Sequence, residues 1–263
     1  MKGLASRCIG AIDIQESVNF YKSVFGFEPL GNAEEISGSE LDVIVGSSNS
    51  RALVQLIKNN DDDRIKLIQF VSPGFSEVPK VRTIGHYGLT HLAFFVDDLD
   101  AVRNKVISAN GKPLDHTRVP MIHDWYGMYI TDPNGTRIEV VAGPGVVPGF
   151  SHSGICVKDL EKSINFYREF GFEPAESYDM REVHDWMGKL NEIEGITLFA
   201  QMIKDPQQRK LQLLDIVTPE LPDKSILKPF NKPGFVGIEV FANNQMTDEI
   251  IRDPNGVHVQ ISR

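Results

Sequence analysis

Apolar and polar positions along the chain switch between two periods, and the switch recurs. From His152 to Pro174 a short apolar run meets Lys-Asp-Leu-Glu-Lys. Leu160, Ile164, Phe166, Tyr167 and Phe170 then return at helical spacing until Gly171. The pattern predicts a strand, a helix and a glycine stop. Asp159 or Ser163 is placed to cap the first turn, accepting from backbone N–H groups that a helix start leaves unpaired. Residues 17–29, SVNFYKSVFGFEP, repeat the helical part almost letter for letter and one residue longer, the mark of an internal duplication.

In chain order, residues 4–12 read as a strand and 13–25 as an amphipathic helix ended by Gly26. Apolar runs 41–45, 52–57 and 65–71 read as three further strands, which makes a βαβββ unit. The acidic run Asp61–Asp63 reads as an exposed turn, because no ligand spacing surrounds it. A linker rich in Pro and Gly, 72–88, leads to a second such unit. Its strand 89–96 precedes a helix over 97–110, with Asp97, Asp98 and Asp100 near the positive end and Gly111 as the stop. Strands 126–131 and 136–141 flank the tight-turn sequence Asp132-Pro133-Asn134-Gly135.

Segment 142–150 contains Gly-x-Gly but leads into a strand, so no helix start awaits a pyrophosphate, and it reads as a linker. The third unit begins at His152, with strands near 196–203 and 210–217. Pro73 and Pro219, like Gly88 and Gly234, match the first unit at an offset of 146 residues. The fourth unit repeats Asp-Pro-Asn-Gly at 253–256 at an offset of only 121, so about 25 residues are missing. Strands are expected near 235–242, 248–252 and 257–262. About ten residues separate Ala242 from Asp253, too few for a helix and a strand together.

Composition narrows the class. With 41% hydrophobic residues, 263 residues can bury a substantial core. A net charge of −9 with no Lys/Arg-rich run argues against nucleic acid or an anionic membrane as partner. No apolar run reaches membrane-spanning length, and MKGLASRCIGAIDI lacks a signal-peptide pattern, so a soluble cytoplasmic protein is expected. Cys8 and Cys156 sit in apolar strand patterns and read as buried thiols, with no disulfide framework.

Paired βαβββ units with these sequences resemble the vicinal oxygen chelate superfamily, also called the glyoxalase/bleomycin-resistance/dioxygenase superfamily. The resemblance spans the chain, strongly in units one to three and weakly in unit four. It implies an α+β fold in which tandem βαβββ modules, four with the last truncated, form curved, incompletely closed β-barrel-like sheets with helices outside. Two fused domains are expected, 1–145 from units one and two, and 146–263 from unit three and the truncated unit four. It further implies a divalent metal ion held from the first and last strand of each unit.

Carried over position by position, the family's ligand sites fall on Ser6 and Lys66 in unit one. They fall on His91 (in LTHLAFFVDDL) and Glu139 (in DPNGTRIEVV) in unit two, and on His152 and Gln212 (in KLQLLDIV) in unit three. In unit four they fall on Gly237 and Gln260 (in DPNGVHVQIS). Only the two middle units carry a full donor set. The resemblance therefore implies one ion per chain at His91, Glu139, His152 and Gln212, drawn from Fe²⁺, Co²⁺, Ni²⁺, Mn²⁺ or Zn²⁺. Units two and three would share one barrel-like half, and units one and four would form a metal-free half. Period two agrees, placing Leu89, His91 and Ala93 on one face, and Arg137, Glu139 and Val141 on another. The competing reading makes each histidine structural and pairs Glu139 with Arg137, but four positions agreeing with one template favour the metal. Because protons compete for imidazole, occupancy is expected to fall as pH drops through about 6.5.

His123-Asp124-Trp125-Tyr126 and His184-Asp185-Trp186 lie in connections that, by the resemblance, border the pocket mouth. His123, Tyr126 and Trp186 are candidate substrate contacts, His123 or Tyr126 also a proton relay. The alternative is that the tryptophans anchor loops while their polar neighbours face water. Cys156, on the same face as His152, reads as core because no base is expected beside it.

The donor pattern is most similar to methylmalonyl-CoA epimerase and next to glyoxalase I, although no local signature for coenzyme A or glutathione is present. It implies a metal-dependent isomerase, epimerase or glyoxalase-type lyase that moves a proton on a small carbonyl substrate, with Glu139 as base. One alternative is an Fe²⁺ extradiol-type dioxygenase, since two histidines and a glutamate suit that chemistry. Its usual positions in units three and four hold Gly237 and Gln260, which disfavours it. The other alternative is a non-catalytic binding protein of the bleomycin-resistance kind, which would lack the ligands. A small-molecule substrate is expected as partner, and a homodimer is compatible with the resemblance.

Overall fold

A computed structural model describes residues 2–75, 83–221, 232–241 and 249–262. Unit one runs β1 (Gly3–Gly10), α1 (Ile14–Phe25), β2 (Glu28–Pro29), β3 (Glu34–Ser37), α2 (Ser39–Val45), β4 (Arg51–Lys58) and β5 (Arg64–Ser72). Unit two runs β6 (Gly88–Phe95), α3 (Leu99–Ser108), β7 (Lys112–Pro120), β8 (Tyr126–Thr131) and β9 (Arg137–Ala142). Unit three runs β10 (Gly149–Cys156), α4 (Leu160–Arg168), β11 (Glu173–Met180), α5 (Asp185–Asn191), β12 (Thr197–Lys204) and β13 (Lys210–Thr218). Unit four contributes β14 (Gly234–Phe241), β15 (Glu249–Arg252) and β16 (His258–Ser262).

Helix starts follow local chemistry. Asp13, Asp98 and Asp159 adopt extended backbone, and each accepts from a first-turn N–H. At α4 the cap is therefore Asp159, and the Ser163 hydroxyl donates back to the Asp159 carbonyl at 2.8 Å. Gly26 ends α1 in the left-handed region at φ 72°, where a side chain would be strained.

Run 41–45, expected as a strand, is part of α2. A short apolar run does not reveal its own period. Here Asp42 settles the matter, accepting from the backbone N–H groups of Asn49 and Ser50 just beyond the helix. Its counterpart at the same offset of 146 is α5, so Trp186 stands on a short helix and not in an open connection. The expectation of no helix before the 253–256 turn falls largely on residues 242–248, outside the described residues; 249–252 is strand.

The strands form two curved, open eight-stranded sheets. One runs β15-β16-β14-β1-β5-β4-β2, with β3 also on β4, and so joins units four and one. The other runs β11-β12-β13-β10-β6-β9-β8-β7 and joins units three and two. The seams are the antiparallel pairs β1/β14 and β6/β10. Helices connect the units the other way round. Tyr21 of α1 donates to Asp132 in the turn of unit two at 3.0 Å, and Asn134 donates to Ser17 at 2.9 Å. Tyr167 of α4 donates to Asp253 at 2.9 Å, and Asn255 to Ser163 at 3.0 Å. Each Asp-Pro-Asn-Gly turn is thus a buried latch for the helix of the preceding unit.

The main core lies between sheets and helices, where Phe25 of α1 stacks on Phe94 of β6 at 3.8 Å. Asp61 and Asp62 are exposed, but Asp63 is buried and corrects the expectation of a wholly exposed turn. It pairs at 3.0 Å with Arg7, whose guanidinium lies 3.9 Å over Phe150 of the other sheet. A buried arginine needs such a partner to offset its lost hydration. Cys8 and Cys156 are buried free thiols. No helix among the described residues is long and apolar enough to cross a membrane.

Candidate metal centre

The four central strands of the second sheet, β13-β10-β6-β9, each carry one of the expected ligands on the same face. Register fixes their grouping. Ala93 stands opposite both His152 and Glu139, and Gly154 stands opposite both His91 and Gln212. The two small residues leave room for the larger side chains to lean toward each other. A Cβ on Gly154 would lie 2.3 Å from Cε1 of His91, so only glycine admits the imidazole there.

His91 Nε2 lies 3.3 Å from His152 Nε2 and 3.7 Å from Glu139 Oε2, and His152 Nε2 is 4.0 Å from the same oxygen. Among the described residues this is the one cluster of three such ligand groups. The hydroxyl of Thr90 contacts His91 Nδ1 at 2.9 Å, and that of Ser151 contacts His152 Nδ1 at 3.0 Å. Each ring is oriented through its far nitrogen with Nε2 turned inward, the arrangement metal-bound histidines use. Gln212 hydrogen-bonds the His152 ring. Donors about 2.0–2.2 Å from one ion stand roughly 3–3.5 Å apart. The imidazoles already satisfy this, and the carboxylate needs to close by a few tenths of an ångström.

The electrostatics agree with the geometry. Burial, then the neighbouring His152 and Arg137, holds the His91 imidazole well below its ordinary range. Burial lowers His152 to about 4, against the Gln212 hydrogen bond. Both rings are therefore neutral and able to donate to a metal. Burial raises Glu139 to about 7, with Arg137 opposing. Arg137 pairs with Glu192 at 2.6 Å and lies 3.8 Å over the Tyr129 ring, so its charge is shared elsewhere. A cation between the three donors would supply what the Glu139 carboxylate lacks, and the residues fit a divalent ion.

A cavity of about 360 Å³ opens over this cluster. Of the expected substrate contacts, Trp186 lines it, whereas His123 and Tyr126 do not. His123 is exposed at φ 61° with its ring 6.1 Å from Trp125, and Tyr126 is half exposed. Their neighbours Trp125 and Tyr129 line the wall instead. Tyr129 was legible in principle, since the turn at 132–135 pairs it directly with Glu139. Trp125 was signalled only as part of the segment expected at the pocket mouth, where it was weighed as a loop anchor. Its indole packs on Gly143, where an added Cβ would lie 2.4 Å from Cδ1, and its N–H donates to the Pro144 carbonyl at 3.1 Å.

In the first sheet the corresponding place is filled from within. Lys66 donates to Glu239 at 2.6 Å and to Gln260 at 3.3 Å, and Ser6 and Ser262 each donate to Glu239 at 2.6 Å. An ammonium here stands where the other half gathers its metal donors. Burial pushes Glu239 up, but Lys66 and the hydroxyls outweigh it and hold the carboxyl below its usual range. The sequence reading missed Glu239, because it enters from the position equivalent to Ala93, not from a ligand position.

Comparison with known proteins places this geometry in context. No curated protein matches the sequence. Glyoxalase I from Zea mays superposes with a TM-score of 0.65 at 14% identity, covering 99% of this chain and 92% of that one. A provisionally designated dioxygenase from Bacillus subtilis subsp. subtilis str. 168 gives 0.56 at 12% identity, covering 99% and 84%. At such identities the likeness is one of fold. A family model of the Glyoxalase/Bleomycin resistance protein/Dioxygenase superfamily matches residues 4–140 and 149–226. The chain, with its duplicated units, paired open sheets and the ligand cluster of its second sheet, belongs to that superfamily.

Proposed function

We propose that the protein is a divalent-metal-dependent enzyme that moves a proton on a small carbonyl substrate, as an isomerase, epimerase or glyoxalase-type lyase does. The observation that carries this reading is the convergence of His91, Glu139 and His152 on one point beneath a cavity. His91 and His152 would hold the ion through Nε2, Glu139 through Oε2, and Gln212 as a weak fourth donor. Bound there, the ion supplies Lewis-acid stabilisation of charge on a substrate oxygen. Glu139 takes the proton from the carbon beside the carbonyl and returns it. Tyr129 and the two tryptophans exclude water around it. Buried free thiols fit a reducing compartment such as the cytoplasm.

A second reading, ring-cleaving oxygenation with Fe²⁺, is supported by the same two-histidine, one-carboxylate set and by the ring-lined cavity. The deciding experiment loads the purified protein with each candidate ion. Deuterium uptake from D₂O by 2-oxoaldehyde adducts and acyl thioesters is then followed beside oxygen uptake with catechols under air. Exchange that disappears in Glu139→Gln supports proton transfer; oxygen uptake without exchange moves the assignment to the second reading. Neither activity with any ion removes the enzyme reading.

A further inference from the structure

The cavity wall bears on the chemical class of the substrate. Apart from the cluster itself, Lys210 is the one formally charged side chain among the described residues that line it, and that ammonium pairs with Glu176 at 3.2 Å. The remaining wall is dominated by apolar and ring-bearing groups, among them Phe95, Trp125, Trp186, Leu198 and Met202. Its volume lies at the low end of the range for drug-sized ligands.

From this wall we infer that the substrate is a compact compound whose body is neutral and apolar, of ring size, with its oxygen-bearing end at the metal cluster. This rests on the metal-dependent reading for the oxygen end and on the wall alone for the body. A phosphate, sulfonate or peptide carboxylate placed against the described wall would lose its hydration with only Lys210, already paired with Glu176, to receive it, a loss that large apolar contacts do not replace. Glutathione adducts and coenzyme A thioesters would gain nothing from this wall for the charged part they carry. An apolar ring gains from the same wall by leaving water and by packing edge or face against the indoles. The Met121 and Met202 side chains adapt to the occupant's outline.

The protein carries its own reporter. Trp125 and Trp186 are its only two tryptophans, and both line this cavity. Tryptophan emission is titrated with 4-tert-butylbenzohydroxamic acid and with 4-sulfobenzohydroxamic acid, which share two chelating oxygens and differ only in the tail. Metal-free and Co²⁺-loaded protein are both used, with S-lactoylglutathione as a third probe. The tert-butyl compound is expected to bind about tenfold or more tighter than the sulfo compound in both forms. Trp186→Ala, read through Trp125, should shrink that preference without changing Co²⁺ content. Equal or tighter binding of the sulfo compound or of S-lactoylglutathione overturns the inference. A tail preference that persists with no gain in affinity on Co²⁺ loading supports the inference and removes the metal-dependent reading instead.

Discussion

The imidazoles of His91 and His152 meet at 3.3 Å between Nε2 atoms with their planes 83° apart, each held from behind by the hydroxyl of the residue before it. Two strands that exchange hydrogen bonds therefore deliver two lone pairs to one point, and Glu139 supplies the charge. His91→Ala or His152→Ala should abolish binding of one divalent ion per chain, and Gln212→Ala should weaken it less. Ser6→Ala and Gln260→Ala, in the half held by Lys66, should leave it unchanged. Elemental analysis after loading with Fe²⁺, Co²⁺, Ni²⁺, Mn²⁺ or Zn²⁺ checks this. Equal metal in wild type and His91→Ala would sink the site.

Gly154 touches no metal, yet it should control affinity. An alanine there drives a methyl into the His91 ring, and the ring must leave its place against Thr90. Gly154→Ala should weaken metal binding by about 10–100-fold, the range seen when a ligand loses its support. Isothermal titration measures it, with circular dichroism to verify that the sheet persists. Undiminished affinity would show that His91 is not held by this contact.

The response to pH should differ from the expectation that imidazole protonation governs occupancy near 6.5. With His152 lowered to about 4 and His91 also depressed, the first proton to compete belongs to Glu139, at about 7. Occupancy should therefore begin to fall as pH drops through about 7. Removing the metal exposes the matching stability effect. A carboxyl raised in the folded state contributes stability fully present below its unfolded value and lost as pH rises through its folded one. From pH 5 to 8 the metal-free wild type should lose on the order of 2 kcal/mol relative to Glu139→Gln. Paired urea titrations read that difference. The imidazoles act in the opposite sense, since a depressed group loses stability as pH falls, so the comparison must be made against the variant.

Lys66 should be structural for the first sheet. Lys66→Met leaves Glu239 buried beside two hydroxyls with no cation and should cost about 3 kcal/mol. Lys66→Met combined with Glu239→Leu should recover much of that loss, because a pair replaced together leaves no orphan charge. Denaturant midpoints of the single and double variants decide it, and additive losses would mean the two residues are not coupled.

The repeat carried most of the fold. Aligned units placed β6, β9, β10 and β13, the family resemblance supplied His91, Glu139, His152 and Gln212 with strand alternation agreeing for the first two, and the structure brings the four together. Register across β6/β10 was not readable, and it is register that makes Ala93 and Gly154 the spacers. The misread run 41–45 and the helix at Trp186 share one cause. Seven-residue helices hold too few turns for a 3.6 period to declare itself, and their C-terminal ends turn left-handed at Gly46 and at Glu192, torsion angles a sequence does not reveal. Glu239 stayed hidden because the ammonium it serves comes from another unit.

The two seams also dictate an order of events. Along β1/β14 Gly3 meets Phe241, whereas along β6/β10 Gly88 meets Cys156. Closing a loop costs more entropy the longer it is, and contacts between distant residues form late. The sheet that gathers the metal donors can thus zip from a nearly contiguous middle of the chain, while β1, paired with β5 on one side, waits with its other edge open for β14. On a ribosome that wait lasts until unit four has emerged, and through it the open edge of β1 needs protection from other chains.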